Sequence, residues 1–310
     1  MKRLLCLLLA LCMVLSLTAC GGEQPESVQL FAMDTVMDLT AYGENAAAAL
    51  TDASREINRL ERLLSRTIDT SEISQINAGG AVTVSEETAS LLAQAQTYTA
   101  ATDGAFDITI APLVSLWGIT TDSPYVPTQQ EIDALLPLVG AEHLHLSGDT
   151  ATLDDGCAID LGGIAKGYIA DRVTAFLEEK GVRSAIVDLG GNIVALGGKA
   201  RSMLDTEAGE TDFRIGIKDP QSEGGALLGT LPASNLTVVT SGTYERYFIA
   251  DGKKYHHILD SETGYPTDTD VLSATIIAAK GRSVDCDGLS TTCLAMGIEN
   301  ALALVNSIEG

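Results

Sequence analysis

Segments of helical period alternate with short apolar runs along this chain, but never in a sustained strand–helix–strand rhythm. A strict rhythm would build a parallel sheet; its absence restricts the chain to a mixed α/β (α+β) fold with a large, partly antiparallel sheet and flanking helices. Val28, Leu30, Phe31, Val36 and Leu39 predict two strands around a turn at Met33-Asp34-Thr35. Ala48, Ala49, Ile57, Leu60, Leu63 and Leu64 recur at helical spacing and predict a helix over 44–66. Ser85 is a fitting N-cap for a second helix ending at 101. Residues 120–128 carry Pro124 and Pro127 and read as loop, 129–136 as a short helix, and 144–153 as a hairpin around Ser147-Gly148-Asp149. A buried strand over 158–161 turns at Gly162-Gly163 into a helix over 164–180, ended by Gly181. Short strands follow at 185–189, 193–196, 213–217, 227–231, 236–239, 244–250, 254–259 and 272–278, and a last helix covers 285–306. Ile159-Asp160-Leu161-Gly162-Gly163 is echoed by Val187-Asp188-Leu189-Gly190-Gly191, too short a match to argue for duplication.

Composition removes whole classes of function. With 45% hydrophobic residues in 310, the chain can bury a core and is not disordered. A formal charge of −23 argues against a nucleic acid partner, which needs a basic face. Lys2 and Arg3 precede the apolar run 4–17, which is too short for a permanent membrane span and reads as a secretory signal over 1–19. Leu17-Thr18-Ala19-Cys20 resembles a bacterial lipobox, which implies cleavage before Cys20 and lipid on its thiol. Residues 20–27 then form a lipid-anchored tether and 28–310 the folded domain. The expected location is the extracytoplasmic face of the cell membrane. Cys157, Cys286 and Cys293 show no CxxC spacing and read as small buried residues.

Three clusters could carry chemistry. Gly162-Gly163 followed by a helix with Lys166 in its first turn is a shape that binds phosphate through backbone N–H groups, although a tight strand-to-helix turn looks the same. It is neither a Walker loop nor a dinucleotide fingerprint. Asp287 and Thr291, four apart, share one helix face and offer hard oxygens to Mg²⁺; on spacing alone the pair is equally an N-terminal cap. In Tyr255-His256-His257-Ile258-Leu259-Asp260 adjacent strand residues point to opposite faces, so only one histidine can serve a given site.

Taken together and in order, these stretches resemble the ApbE family of FAD:protein FMN transferases. The resemblance runs through Met33-Asp34-Thr35-Val36-Met37, 103–109, 112–118, 159–171, 187–193, Thr240-Ser241-Gly242-Thr243-Tyr244, 257–266 and 287–291. It implies a T-fold-like body around a central flavin site. It implies FAD contacts at Met33, Ala105, Phe106, Asp107, Asp160, Lys166 and Leu259, and magnesium held by the Gly163 carbonyl, Asp287 and Thr291. Three positions depart from the family pattern: Asp34 stands for a usual Gly, Thr67 for an aromatic near the adenine, and Ser290 for a further acidic residue. Relatives usually continue beyond the last helix with one or two closing strands. The implied reaction is Mg²⁺-dependent transfer of FMN from FAD to a Thr or Ser hydroxyl of a client flavoprotein, with release of AMP. His257 is the expected base and Asp287 the alternative. The implied clients are Rnf-type or sodium-pumping quinone reductase (NQR-type) subunits, or other extracytoplasmic flavoproteins. Two other readings use the same pocket: an Mg²⁺-dependent FAD pyrophosphatase giving FMN and AMP, and a non-enzymatic FAD-binding lipoprotein.

Overall fold

The computed structural model describes residues 24–200, 210–222 and 224–308. The predicted signal and Cys20 lie outside the described residues. The first strand begins at Glu26, two residues inside the stretch read from composition as tether.

A six-stranded sheet organises the molecule. Its order is Glu26–Ala32, Thr35–Tyr42, Ser184–Asp188, Asn192–Leu196, Leu236–Gly242 and Ser273–Ala279. Every neighbouring pair is antiparallel, so the expectation of a sheet only partly antiparallel is corrected. Hairpins make two of the pairs, and long excursions return the chain against its neighbour in the others.

Period-two alternation sends the two faces of this sheet to different partners. Met37, Leu39, Ala41, Ala185, Val187, Val194 and Leu196 point into the main core. Across that core the helix Ala46–Leu64 presents Ala46, Ala49, Leu50, Ala53, Ile57, Leu60 and Leu64, a stripe at spacings of three, four and seven. Each large side chain buried there contributes on the order of 1.5–3 kcal/mol. The helices Ala165–Glu179 and Ser283–Met296 complete this layer. Tyr42, Ile186, Ile193, Ala195 and Val238 face the other way, where the separate hairpin Phe213–Lys218/Leu227–Ala233 covers them. A third cluster gathers around Trp117, fully buried between Phe248, Tyr255 and Tyr265, with its Nε1–H donated to the Gly264 carbonyl at 2.7 Å.

Two local readings are corrected and two helices are added. Ile159 and Leu161 are buried, but 158–161 is not a strand: the Asn77 amide donates to the Ile159 carbonyl (2.9 Å) and accepts its N–H (2.8 Å), so a side chain does what a neighbouring strand would. Ala111–Trp117 is a helix, because Pro112 sits in its first turn, where proline costs nothing, and Gly118 ends it in left-handed conformation. The helix Glu72–Asn77 was not anticipated. The last helix is two, Ser283–Met296 and Ile298–Ser307, separated at Gly297. Among the described residues, no helix is long and apolar enough to cross a membrane.

Candidate active site

The geometry of the site is set where two helices start. Gly167 stands in the first turn of Ala165–Glu179, and a Cβ there would fall 2.7 Å from Asp287 Cβ and closer still to the Ser283 carbonyl oxygen. Only glycine lets the two helices touch at this point. Each helix then caps the other. Gly167 N–H, one of the free donors at a helix start, donates to Asp287 Oδ2 at 2.8 Å. In return Asp171 accepts from the N–H groups of Ser283 and Val284, both at 3.0 Å.

Asp287 is thereby held 2% exposed, its Oδ1 receiving only Asn192 Nδ2 at 3.3 Å. No Lys or Arg pairs with it among the described residues. Asn192 Oδ1, also buried, has no hydrogen-bond partner among the described residues. A buried carboxylate without a cation is costly, and its neighbours are hard oxygens. Thr291 lies one turn along the same helix, with Ser241 Oγ 3.4 Å from its hydroxyl. A Cβ on Gly163 would stand 3.6 Å from Thr291 Oγ1 and 3.2 Å from Phe106, which places the Gly163 backbone beside both. This donor set fits Mg²⁺. Among the described residues there is no cluster of three or more His, Cys, Asp or Glu, so the fit rests on one carboxylate, a hydroxyl and a carbonyl.

These groups open into one cavity of about 1080 Å³. It is lined by every site residue the sequence singled out within the described range: Met33, Ala105, Phe106, Asp107, Asp160, Gly163, Lys166, His257, Leu259, Asp287 and Thr291. Met33 and Asp34 form the hairpin turn, both left-handed at φ 50° and 56°. Asp tolerates that conformation, so the replaced glycine leaves the turn intact. Glu61 Oε1 accepts the Met33 N–H (2.7 Å), and Arg246 donates to the Asp34 carbonyl (2.8 Å). Asp160 accepts the Gly162 N–H (2.8 Å) and pairs with Arg66 (2.7 Å). Asp107 binds the Thr109 N–H and hydroxyl, both at 2.7 Å, and burial raises its carboxyl above the usual range.

The strand expected over 254–259 is Lys253–His256, and the two histidines separate where it ends, His256 being its last residue and His257 lying just beyond. His256 turns inward to the Thr267 carbonyl, while His257 lines the cavity. His257 Nδ1 lies 3.2 Å from the Arg246 carbonyl, which can only accept, so Nδ1 carries the proton and Nε2 keeps its lone pair. Burial, reinforced by the charge of Lys166, pushes its pKa down to about 4, so the ring is neutral at pH 7.

Sequence reasoning missed several lining residues: Glu61, Arg66, Lys218, Tyr244, Glu245 and Arg246. Burial raises the Glu245 carboxyl, against the opposing pull of Lys166 and Arg246. Tyr244-Glu245-Arg246 form a turn and not the start of the expected strand, which begins at Tyr247, and this turn feeds the cavity. The three described cysteines are buried and unpaired, as expected.

The chain is similar to known proteins over most of its length. A family model described as the ApbE family matches residues 33–310. A relative named FAD:protein FMN transferase from Treponema pallidum is 33% identical over 317 residues, spanning 96% of this chain and 87% of its own. One of the same name from Klebsiella pneumoniae is 38% identical over 259 residues, 82% of this chain and 77% of its own. The crystal structure of the ApbE protein from Thermotoga maritima superposes with a TM-score of 0.80 at 34% identity, covering 88% of this chain and 87% of that one. The ordered motifs, the cavity they line and a match over nearly the whole folded region agree: this chain belongs to the ApbE family.

Proposed function

We propose that this chain transfers FMN from FAD to a threonine or serine hydroxyl of a client flavoprotein, releasing AMP. The observation that carries the reading is the meeting, in one cavity, of a glycine turn at a helix start, a buried carboxylate–hydroxyl pair and a neutral imidazole. The names of the relatives support the same reaction.

The attacking hydroxyl oxygen forms a bond to the FMN phosphorus while the bond from that phosphorus to the bridging oxygen breaks, and AMP departs with the bridging oxygen. The hydroxyl proton passes to His257 Nε2, whose acceptor state is fixed by the Arg246 carbonyl on the other nitrogen. The Gly163 N–H and the Lys166 ammonium offer positive charge to the pyrophosphate. Met33 and Phe106 supply apolar surface for the flavin, and Ala105, Asp107, Asp160 and Leu259 complete the FAD contacts. Asp287, Thr291 and the Gly163 carbonyl would hold Mg²⁺, which when bound supplies Lewis-acid neutralisation of the pyrophosphate charge.

The amino-terminal sequence supports export, processing before Cys20 and a lipid anchor on the extracytoplasmic face. Clients are then exposed redox proteins such as Rnf-type or NQR-type subunits. Purified protein incubated with FAD, Mg²⁺ and a threonine-containing client fragment should yield a covalent FMN adduct by mass. Asp287→Ala should lower that transfer by about two to three orders of magnitude while FAD still binds. Full transfer by the variant would refute the metal assignment, and free FMN without adduct would mark a hydrolase instead.

A further inference from the structure

The turn that carries Met33 breaks a local rule. Ala32 pairs with Thr35 across the first hairpin, so Met33 and Asp34 form a two-residue loop. With φ positive at both positions, such a loop is normally built from Asn, Asp or Gly. Among the described residues, five non-glycine positions have positive φ: Met33, Asp34, Asp103, Asn235 and Asp251. Four of them are Asp or Asn, whose short polar side chains tolerate that conformation. Met33, at φ 50°, is the exception. Its apolar side chain can make no hydrogen bond that would hold its own backbone there.

Support comes from distant parts of the chain. Glu61, on the helix Ala46–Leu64, accepts the Met33 N–H at 2.7 Å from 28 positions away. A carboxylate that accepts a backbone N–H makes one of the stronger hydrogen bonds. Arg246 donates to the Asp34 carbonyl at 2.8 Å from 212 positions away. A left-handed residue of the wrong type persists only where its surroundings over-determine it, and such places cluster at functional sites. Met33, Asp34, Glu61 and Arg246 all line the reaction cavity. Arg246 also reaches the other side of the reaction centre. Its main-chain carbonyl receives the His257 N–H at 3.1 Å and lies 3.2 Å from Nδ1. One residue therefore touches the Met33 turn with its side chain and His257 with its main chain.

We propose that Glu61 and Arg246 are positioning residues for the flavin: they hold Met33 in a backbone conformation that methionine does not keep unaided, and so fix its thioether against the isoalloxazine ring. The proposal rests on the placement of Met33 against the flavin in the transferase reading above, and it adds what keeps Met33 there. Sulfur against an aromatic ring is a favourable contact, but a methionine side chain is flexible and delivers it reproducibly only from a fixed backbone. Both residues act through the turn, not on the phosphates or the adenine.

The test uses the full chain with two probes, FAD and riboflavin. Riboflavin carries the ring system without phosphate or adenine, so it reports the ring contacts alone. Fluorescence titration reads affinity, and the visible absorption of the bound flavin reads the surroundings of the ring. Glu61→Ala and Arg246→Met should each weaken both probes about tenfold, and by the same factor. Glu61→Gln keeps an oxygen acceptor and should stay within about threefold of wild type, while Arg246→Lys keeps a donor and should recover part of the loss. Met33→Gly frees the backbone and removes the thioether, so adding Glu61→Ala to it should cost less than about twofold more. The bound-flavin spectrum of Glu61→Ala should match that of Met33→Gly. Weakened FAD with riboflavin unchanged would overturn the proposal in favour of direct contact with phosphate or adenine. Fully additive losses in the Met33→Gly/Glu61→Ala pair, or a Glu61→Gln variant as weak as Glu61→Ala, would overturn it as well. Wild-type protein that binds neither probe would instead overturn the flavin reading beneath it.

Discussion

The same four residues, Asp-Leu-Gly-Gly, close two turns of this molecule and do different work in each. At 160–163 the aspartate accepts the Gly162 N–H and pairs with Arg66, and a helix follows. At 188–191 the aspartate accepts from Gly190 (3.0 Å) and Gly191 (3.2 Å), and a strand follows. Only the second turn needs glycine for its backbone, with φ at 69° and 94°. The first needs it for room, because Phe106 and Thr291 crowd Gly163. What comes after decides the outcome: Ala165-Lys166-Gly167 can enter a helix against Asp287, whereas Ile193-Val194-Ala195-Leu196 carries branched residues suited to a sheet. A short motif thus fixes a local turn, and its surroundings fix whether that turn meets a substrate.

The largest effect should come from crowding the first turn. Gly163→Val should lower FMN transfer about a hundredfold with little change in unfolding temperature, because a displacement near 1 Å suffices to misplace reacting groups. Unchanged transfer would erase the functional half of the contrast. Gly190→Ala should do the reverse. It forces a side chain into left-handed backbone against Thr35 and should cost about 1–3 kcal/mol in denaturant unfolding, with activity per folded molecule retained.

A pH series sharpens the reactive side. The folded pKa of His257 lies near 4, below the ordinary imidazole value of about 6.5. The unfolded chain therefore binds more protons between those values, and this residue's contribution to stability is present above pH 6.5 and lost as pH falls toward 4. His257→Gln should flatten that part of the stability profile and remove most transfer. A wild-type profile flat across this window would contradict a buried neutral ring. The smallest effects separate the two aspartates. Asp160→Asn should weaken FAD affinity several-fold through the freed Arg66, measured by fluorescence titration. Asp188→Asn keeps an acceptor for the glycine N–H groups and relieves a carboxyl that burial already disfavours; its stability should stay within about 1 kcal/mol of wild type.

Much of this was legible without coordinates, for a physical reason. The helix ending at Leu64 and the one capped by Ser85 have strong local signals, a buried stripe and an N-cap bond from Thr88 N–H. Asp287 and Thr291 share a helix face by their spacing, which suited a cap as well as a metal site, and only the family resemblance favoured the site. What escaped were features made by distant partners. Residues 158–161 resemble a strand because Ile159 and Leu161 alternate with Asp160, and Asn77, some eighty positions earlier, satisfies Ile159 instead. Glu245 and Arg246 looked like strand continuation, and only the folded hairpin shows them feeding the cavity. The hairpin over the far face of the sheet needs the pairing of residues 213–218 with 227–233, which no local pattern specifies.

The mutual capping of the two helix starts, Asp287 on Gly167 and Asp171 on Ser283 and Val284, has a consequence for turnover. Because each helix origin is neutralised by an acid from the other, the carboxylate is aimed and partly dehydrated as the chain folds. Little reorganisation is left for the moment of reaction, so the adaptive motions that admit and release a bulky polypeptide must arise elsewhere than at this joint.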